Sequence, residues 1–97
     1  MALNDDERQL LELFAQQSAP VDAWSLYRTM NPPPADLSVD EDDPVHEAWM
    51  ERQLELSQVS LTLWRRDLVR VAVPADGENA DQMEITEEGH RRLSAEH

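Results

Sequence analysis

The sequence predicts an α+β chain in which helices dominate, and three observations carry that reading. Apolar residues recur at helical spacing through the segments 5–18, 22–30 and 44–66. Valine-rich 68–73 and the segment 82–85 both alternate in polarity. They flank the turn-forming Pro74-Ala75-Asp76-Gly77-Glu78-Asn79, which is the pattern of a β-hairpin. Thr86, followed by Glu87 and Glu88, then opens a last helix. At 97 residues the chain has the length of one domain, read as spanning 1–97.

Each element has a local reason. Asn4 and Glu7 have the spacing of a capping box, and Asp5, Asp6 and Glu7 suit the positive end of a helix dipole. Leu10, Leu11, Phe14 and Leu13 give the first helix, about 5–18, an apolar face, and Pro20 follows its end. Asp22 caps a second helix, about 22–30, whose Trp24, Leu26, Tyr27 and Met30 are available for burial. Asn31-Pro32-Pro33-Pro34 stops it, because proline lacks the amide donor and drives the preceding residue into extended backbone. The segment 31–43 reads as an acidic, proline-rich loop, long enough to suggest an insertion.

Asp43 and Pro44 make a helix start, with aspartate as cap and proline in the first turn. Val45, Trp49, Leu56, Val59 and Leu63 then form a stripe with Arg52 in its gap, which permits a single helix of about 22 residues. Ser57 is also placed to cap a fresh helix, and the expectation is a break or bend near Leu56. Met50, Leu54, Leu61, Trp64 and Leu68 form a second, partial stripe, so the region has more than one packing surface. In the last helix Leu93 faces inward, and Gly89 is expected to weaken it.

Charge is the strongest compositional signal. Twenty-one acids stand against eight bases, all of them arginine, for a formal net charge of -13. Residues 31–56 hold eight of the acids with Arg52 as their only base, whereas 57–70 is the one positive window, with Arg65, Arg66 and Arg70 against Asp67. Such a chain repels nucleic acid and anionic membranes at long range and attracts basic surfaces. The absence of cysteine excludes disulfides and thiolate chemistry. No apolar run approaches the roughly 18 residues of a membrane span, and no secretory leader is visible, so a cytoplasmic location is expected, or host cytoplasm for a viral gene.

Other chemistries find little support. His46, His90 and His97 lack the spacing of metal ligands, and Asp40-Glu41-Asp42-Asp43 lacks that of a calcium loop. Two glycines rule out a phosphate-cradling loop or dinucleotide fingerprint. No nucleophile–base–acid arrangement is present, so the chain reads as a non-enzyme without a cofactor. Trp24 and Trp49 are expected in the core, and Leu61 or Trp64 at an exposed or dimer-forming surface.

Three phrases, in order, resemble the winged helix-turn-helix family in its MarR/PadR-like form. Leu56-Ser57-Gln58-Val59-Ser60-Leu61-Thr62-Leu63 looks like that family's recognition helix. Arg65-Arg66-Asp67-Leu68-Val69-Arg70-Val71 is similar to its exit into the wing, with Asp67 where glycine is usual. Ile85-Thr86-Glu87-Glu88-Gly89-His90-Arg91-Arg92-Leu93 is similar to the phrase after the wing. The resemblance implies a two-stranded wing over 69–85, a final helix and, ordinarily, DNA binding. Gln58, Leu61, Thr62 and Arg65 would then read bases, and Arg66, Arg70 and Arg91 or Arg92 would hold phosphates.

The wing segment 74–84 carries Asp76, Glu78, Asp81 and Glu84 and no base, unlike a surface that meets phosphate. The leading functional expectation is therefore a small regulator that contacts a basic, nucleic-acid-handling protein, as a DNA mimic or inhibitor of the anti-host or anti-CRISPR type does. Its acidic surface would comprise Asp40, Glu41, Asp42, Asp43, Glu47, Glu51, Asp76, Glu78 and Asp81. The alternative is a directly DNA-binding, dimeric transcription regulator from a salt-adapted or high-GC organism.

Overall fold

The computed structural model describes residues 2–33 and 44–96. Its elements are α1 (Asp5–Gln16), β1 (Val21–Asp22), α2 (Ala23–Met30), α3 (Pro44–Arg65), β2 (Val69–Val73), β3 (Gln82–Ile85) and α4 (Glu87–Glu96). The fold is α+β, with four helices among the described residues around a small antiparallel sheet of strand order β1-β3-β2. The expected two-stranded hairpin is thus a three-stranded sheet, because Val21 and Asp22 pair with Met83 and Gln82. Two residues are too short a run to show alternation, and their pairing partner lies some sixty positions away.

The helix starts form as their sequences dictate. Asn4 Oδ1 accepts from the Glu7 amide at 2.8 Å, while Glu7 Oε1 accepts from the Asn4 amide at 2.9 Å, completing the capping box. Asp22 caps α2 through the Trp24 amide at 3.0 Å. Thr86 Oγ1 accepts from the Gly89 amide at 3.0 Å at the head of α4. The cap expected from Asp43 and the loop through residues 34–43 lie outside the described residues.

Contrary to the expected bend, α3 runs unbroken for 22 residues. Ser57 does not cap a new helix; its hydroxyl donates back to the Leu54 carbonyl at 2.7 Å. The inward face of α3 also differs from the expected stripe. Gln53, Leu56, Ser60 and Leu63 are buried and Trp49 is half-buried, whereas Val45 is 62% exposed. This 49-53-56-60-63 spacing follows the helical period, with two polar residues in positions that a purely apolar search passes over. Leu56 and Leu63 meet Leu10, Leu11 and Phe14 of α1, Leu26 and Tyr27 of α2, and Leu68, Val69 and Leu93 in one core.

The exit from α3 fixes the sheet and α4 together. Leu68 N–H donates to Leu63 at 2.9 Å and Asp67 N–H to Trp64 at 3.0 Å, the paired bonds of a Schellman C-cap. Asp67 accordingly takes the left-handed conformation, φ 63°, that glycine adopts most readily. Its carbonyl then accepts from Thr86 Oγ1 at 2.7 Å, and the Leu68 carbonyl accepts from the Thr86 amide at 3.0 Å. Gly89 lies against this junction. A Cβ there would stand 2.6 Å from Ile85 Cγ1 and closer still to the Leu68 carbonyl oxygen. Its value is close approach, which outweighs its cost to helix propensity.

Two links across the core bind the helices. Asn31 Nδ2 donates to the Trp49 carbonyl at 3.3 Å and to Gln53 Oε1 at 3.1 Å, while Trp49 Nε1 donates to the Asn31 carbonyl at 3.1 Å. Arg52 grips Asp6 with two hydrogen bonds, at 2.8 and 2.9 Å, and also reaches Glu55 at 2.9 Å.

Two predictions follow from these contacts. Gly89→Ala should destabilise the protein by about 1–3 kcal/mol through overpacking, although alanine is the better helix former; a rise in stability on chemical denaturation would contradict the close approach. Hydrogen bonding from Arg52 holds the Asp6 carboxyl below the ordinary carboxylate value. A lowered folded value means stabilisation that is complete above the unfolded value and lost as pH falls through the folded one. In a carboxyl NMR titration, Arg52→Gln should return the Asp6 midpoint upward; an unmoved midpoint would remove Arg52 as the cause.

Candidate functional site

The outer face of α3 and the hairpin beside it hold most of the described residues expected to act. Gln58, Thr62 and Arg65 are exposed on one side of the C-terminal half of α3, with Leu61 half-buried beside them. Thr62 Oγ1 is turned back to the Gln58 carbonyl at 3.0 Å. Arg65 makes no ion pair or hydrogen bond through its side chain among the described residues, so of the three arginines in the positive window it alone is uncommitted.

The other two are held within the molecule. Arg66 reaches across to α1, where Glu7 Oε2 accepts from Nη1 at 3.4 Å. Glu7 is a buried carboxylate, 7% exposed, and Arg66 itself is largely covered. Arg70 grips Glu84 on the neighbouring strand through Nε at 2.9 Å and Nη2 at 2.7 Å. The register sets this pair directly opposite, Arg70 against Glu84. Arg91 is paired within α4 to Glu88 at 3.0 Å and Glu87 at 3.8 Å, and Arg92 is engaged as well. The expected phosphate-holding set is therefore occupied by carboxylates wherever its pairing is defined.

The acidic residues divide into two groups. Glu47 and Glu51 are exposed on the N-terminal half of α3, without an ion pair among the described residues. In the hairpin turn, Asp76 accepts from the Asn79 amide at 2.8 Å and the Glu78 amide at 3.0 Å. Those amides hold the Asp76 carboxyl below its ordinary value. Asp81 accepts from the Ala75 amide at 2.6 Å, closing the base of the turn. Two of the hairpin acids thus shape the turn while remaining exposed to solvent, and Glu78 projects from it. Asp40, Glu41, Asp42 and Asp43 lie outside the described residues.

An apolar groove runs between α3 and the sheet, lined by Leu61, Trp64, Val71 and Met83 with Ser57, Ser60 and Asp81 at its polar edge. Trp64 is 50% exposed, as its place on the second stripe suggested, and Met50 and Leu54 extend that stripe toward the start of α3. Trp24, expected in the core, is 46% exposed and stacks edge-on against buried Tyr27, with ring centroids 5.1 Å apart. It borders a neighbouring hollow that shares Ser60, Asp81 and Met83 with the groove. Trp24 is the second residue after the capping Asp22, so its position at the exposed head of α2 was the signal in the sequence for an outward side chain.

No group of three or more His, Cys, Asp or Glu placed to hold a metal ion occurs among the described residues, and no helix there is long and apolar enough to cross a membrane. Compared with known proteins, the chain matches no protein-family model, no curated protein and no solved structure.

Proposed function

We propose that the protein is a small acidic regulator, built as a winged helix, that acts by contact with a basic surface on a nucleic-acid-handling partner. The order of α1, β1, α2, α3, the hairpin and α4, with a long helix leading straight into an antiparallel pair, supports the winged-helix reading. One observation carries the functional reading. Folding neutralises two of the three bases of the would-be DNA-facing segment, Arg66 by Glu7 and Arg70 by Glu84, and leaves Glu47, Glu51, Asp76, Glu78 and Asp81 facing solvent.

The physical consequence is a difference in reach. An arginine that neutralises a phosphate releases counterions and supplies affinity, but one that already satisfies a carboxylate must abandon that partner first. Exposed carboxylates attract the arginines and lysines of a surface evolved for phosphate. The side-by-side exposure of Gln58, Thr62 and Arg65 favours the alternative, a direct reader of DNA, and the two readings differ in a measurable way.

Titrating the full chain against mixed duplex DNA at about 20–50 mM salt, where screening is weak, should give no binding. Binding that falls steeply with salt and disappears in Arg65→Ala would overturn the proposal. In the complementary measurement, the protein should release a specific protein from a DNA-cellulose column loaded with cell extract. A variant with Glu47, Glu51, Asp76, Glu78 and Asp81 changed to their amides should fail to release it.

A further inference from the structure

The outer face of α3 carries a pattern that is complementary to itself. Met50, Leu54, Ser57, Leu61 and Trp64 follow one another at intervals of four, three, four and three, which makes a continuous seam along one side of the helix. The seam is about 21 Å long at the rise of an α-helix. Three of its four large members are uncovered: Met50 is 42%, Leu54 58% and Trp64 50% exposed, with Leu61 half-buried. The seam lies one residue around the helix from the buried row Gln53, Leu56, Ser60 and Leu63, so it is a separate face from the one that builds the core.

Its two ends differ in shape. At the C-terminal end, Leu61 and Trp64 form a groove with Val71 and Met83 of the sheet. At the N-terminal end, Met50 and Leu54 stand as exposed knobs. Along the solvent side of the seam, Glu51, Gln58 and Arg65 recur at intervals of seven. All three are exposed, and neither Glu51 nor Arg65 has an ion pair among the described residues.

We propose that two copies of the chain associate through this face, with their α3 helices antiparallel about a two-fold axis near Ser57. The axis places the Met50–Leu54 knobs of each copy in the Leu61–Trp64–Val71–Met83 groove of the other. In an antiparallel helix pair, flanking residues on the same side face each other. Glu51 therefore meets Arg65 of the second copy, Gln58 meets Gln58, and the Arg65–Glu51 pair recurs by symmetry. A parallel pairing would put the flank that carries Glu51 and Arg65 against the opposite flank of the second copy and leave both charges unanswered, so the charges select the antiparallel register. This inference does not depend on the regulatory reading: it assigns Glu51 and Arg65 to a partner of the same sequence and leaves Glu47, Asp76 and Glu78 open to a basic one.

The test is the oligomeric state of the full chain by sedimentation equilibrium, at about 150–500 mM salt, where screening reduces repulsion between two strongly acidic copies. The expected mass is twice that of the 11.2 kDa chain. Leu54→Ser, at an exposed position, should yield a monomer with an unchanged circular dichroism spectrum. Arg65→Glu should weaken association by about tenfold or more, since it creates two like-charge contacts. Adding Glu51→Arg to it should restore association. A monomeric wild type at about 100 μM protein, a range in which even weak dimers populate, would overturn the proposal. So would a dimer indifferent to Leu54→Ser, or an Arg65→Glu defect that Glu51→Arg does not repair.

Discussion

The carboxylate of Glu7 sits where the start of α1 meets the end of α3, and both ends depend on its charge being answered. One oxygen completes the cap of α1 by accepting from the Asn4 amide, and the other accepts from Arg66. A buried carboxylate without a cation is costly, whereas one with both oxygens satisfied is tolerated. Arg66 is thus drawn inward at the last turn of α3, immediately before the Asp67 C-cap. From that cap, the Asp67 and Leu68 carbonyls engage Thr86, and Gly89 lets α4 close on the sheet. The register of hairpin and final helix follows from where α3 ends.

The same constraint governs what the surface can do. A chain of net charge -13 must assign its few arginines with care. Arg52 joins α1 to α3 through Asp6, Arg66 joins them again through Glu7, and Arg70 joins β2 to β3 through Glu84. The exposed members of these pairs contribute little individually, but together they place the positive charge inside the pattern of contacts that defines the fold. The remaining surface is acidic around an apolar seam. Such a surface is suited to protein contact, because it offers hydrophobic area for burial and charge for orientation.

Much of the fold was legible because its signals are local. The capping box of Asn4 and Glu7, the caps at Asp22 and Thr86, and the alternation around Pro74–Asn79 each fall within a few residues and formed as read. Other features depend on distant partners. The β1 pairing of Val21 and Asp22 exists only because β3 passes beside it. The continuity of α3 through Ser57 follows from burial of Gln53, Leu56 and Ser60 along one face, where the polar members disguise the stripe. Among the expected site residues, the exposed Gln58, Thr62 and Arg65 keep the positions that helical spacing implies. Arg66 and Arg70 are held by carboxylates 59 and 14 positions away. Adjacent residues of like charge in a sequence give no sign of which will turn inward.

Arg66 belongs to Glu7 rather than to an outside ligand, and a double-mutant cycle measures that directly. Glu7→Gln keeps an acceptor for the capping box while removing the charge, and Arg66→Met keeps the length of the side chain. Urea denaturation of the two single variants and the double variant should give a coupling of about 0.5–1.5 kcal/mol, with the double variant less destabilised than the two single losses combined. Strictly additive losses would contradict the account, because Arg66 would then be free of Glu7 and available to a partner outside the fold.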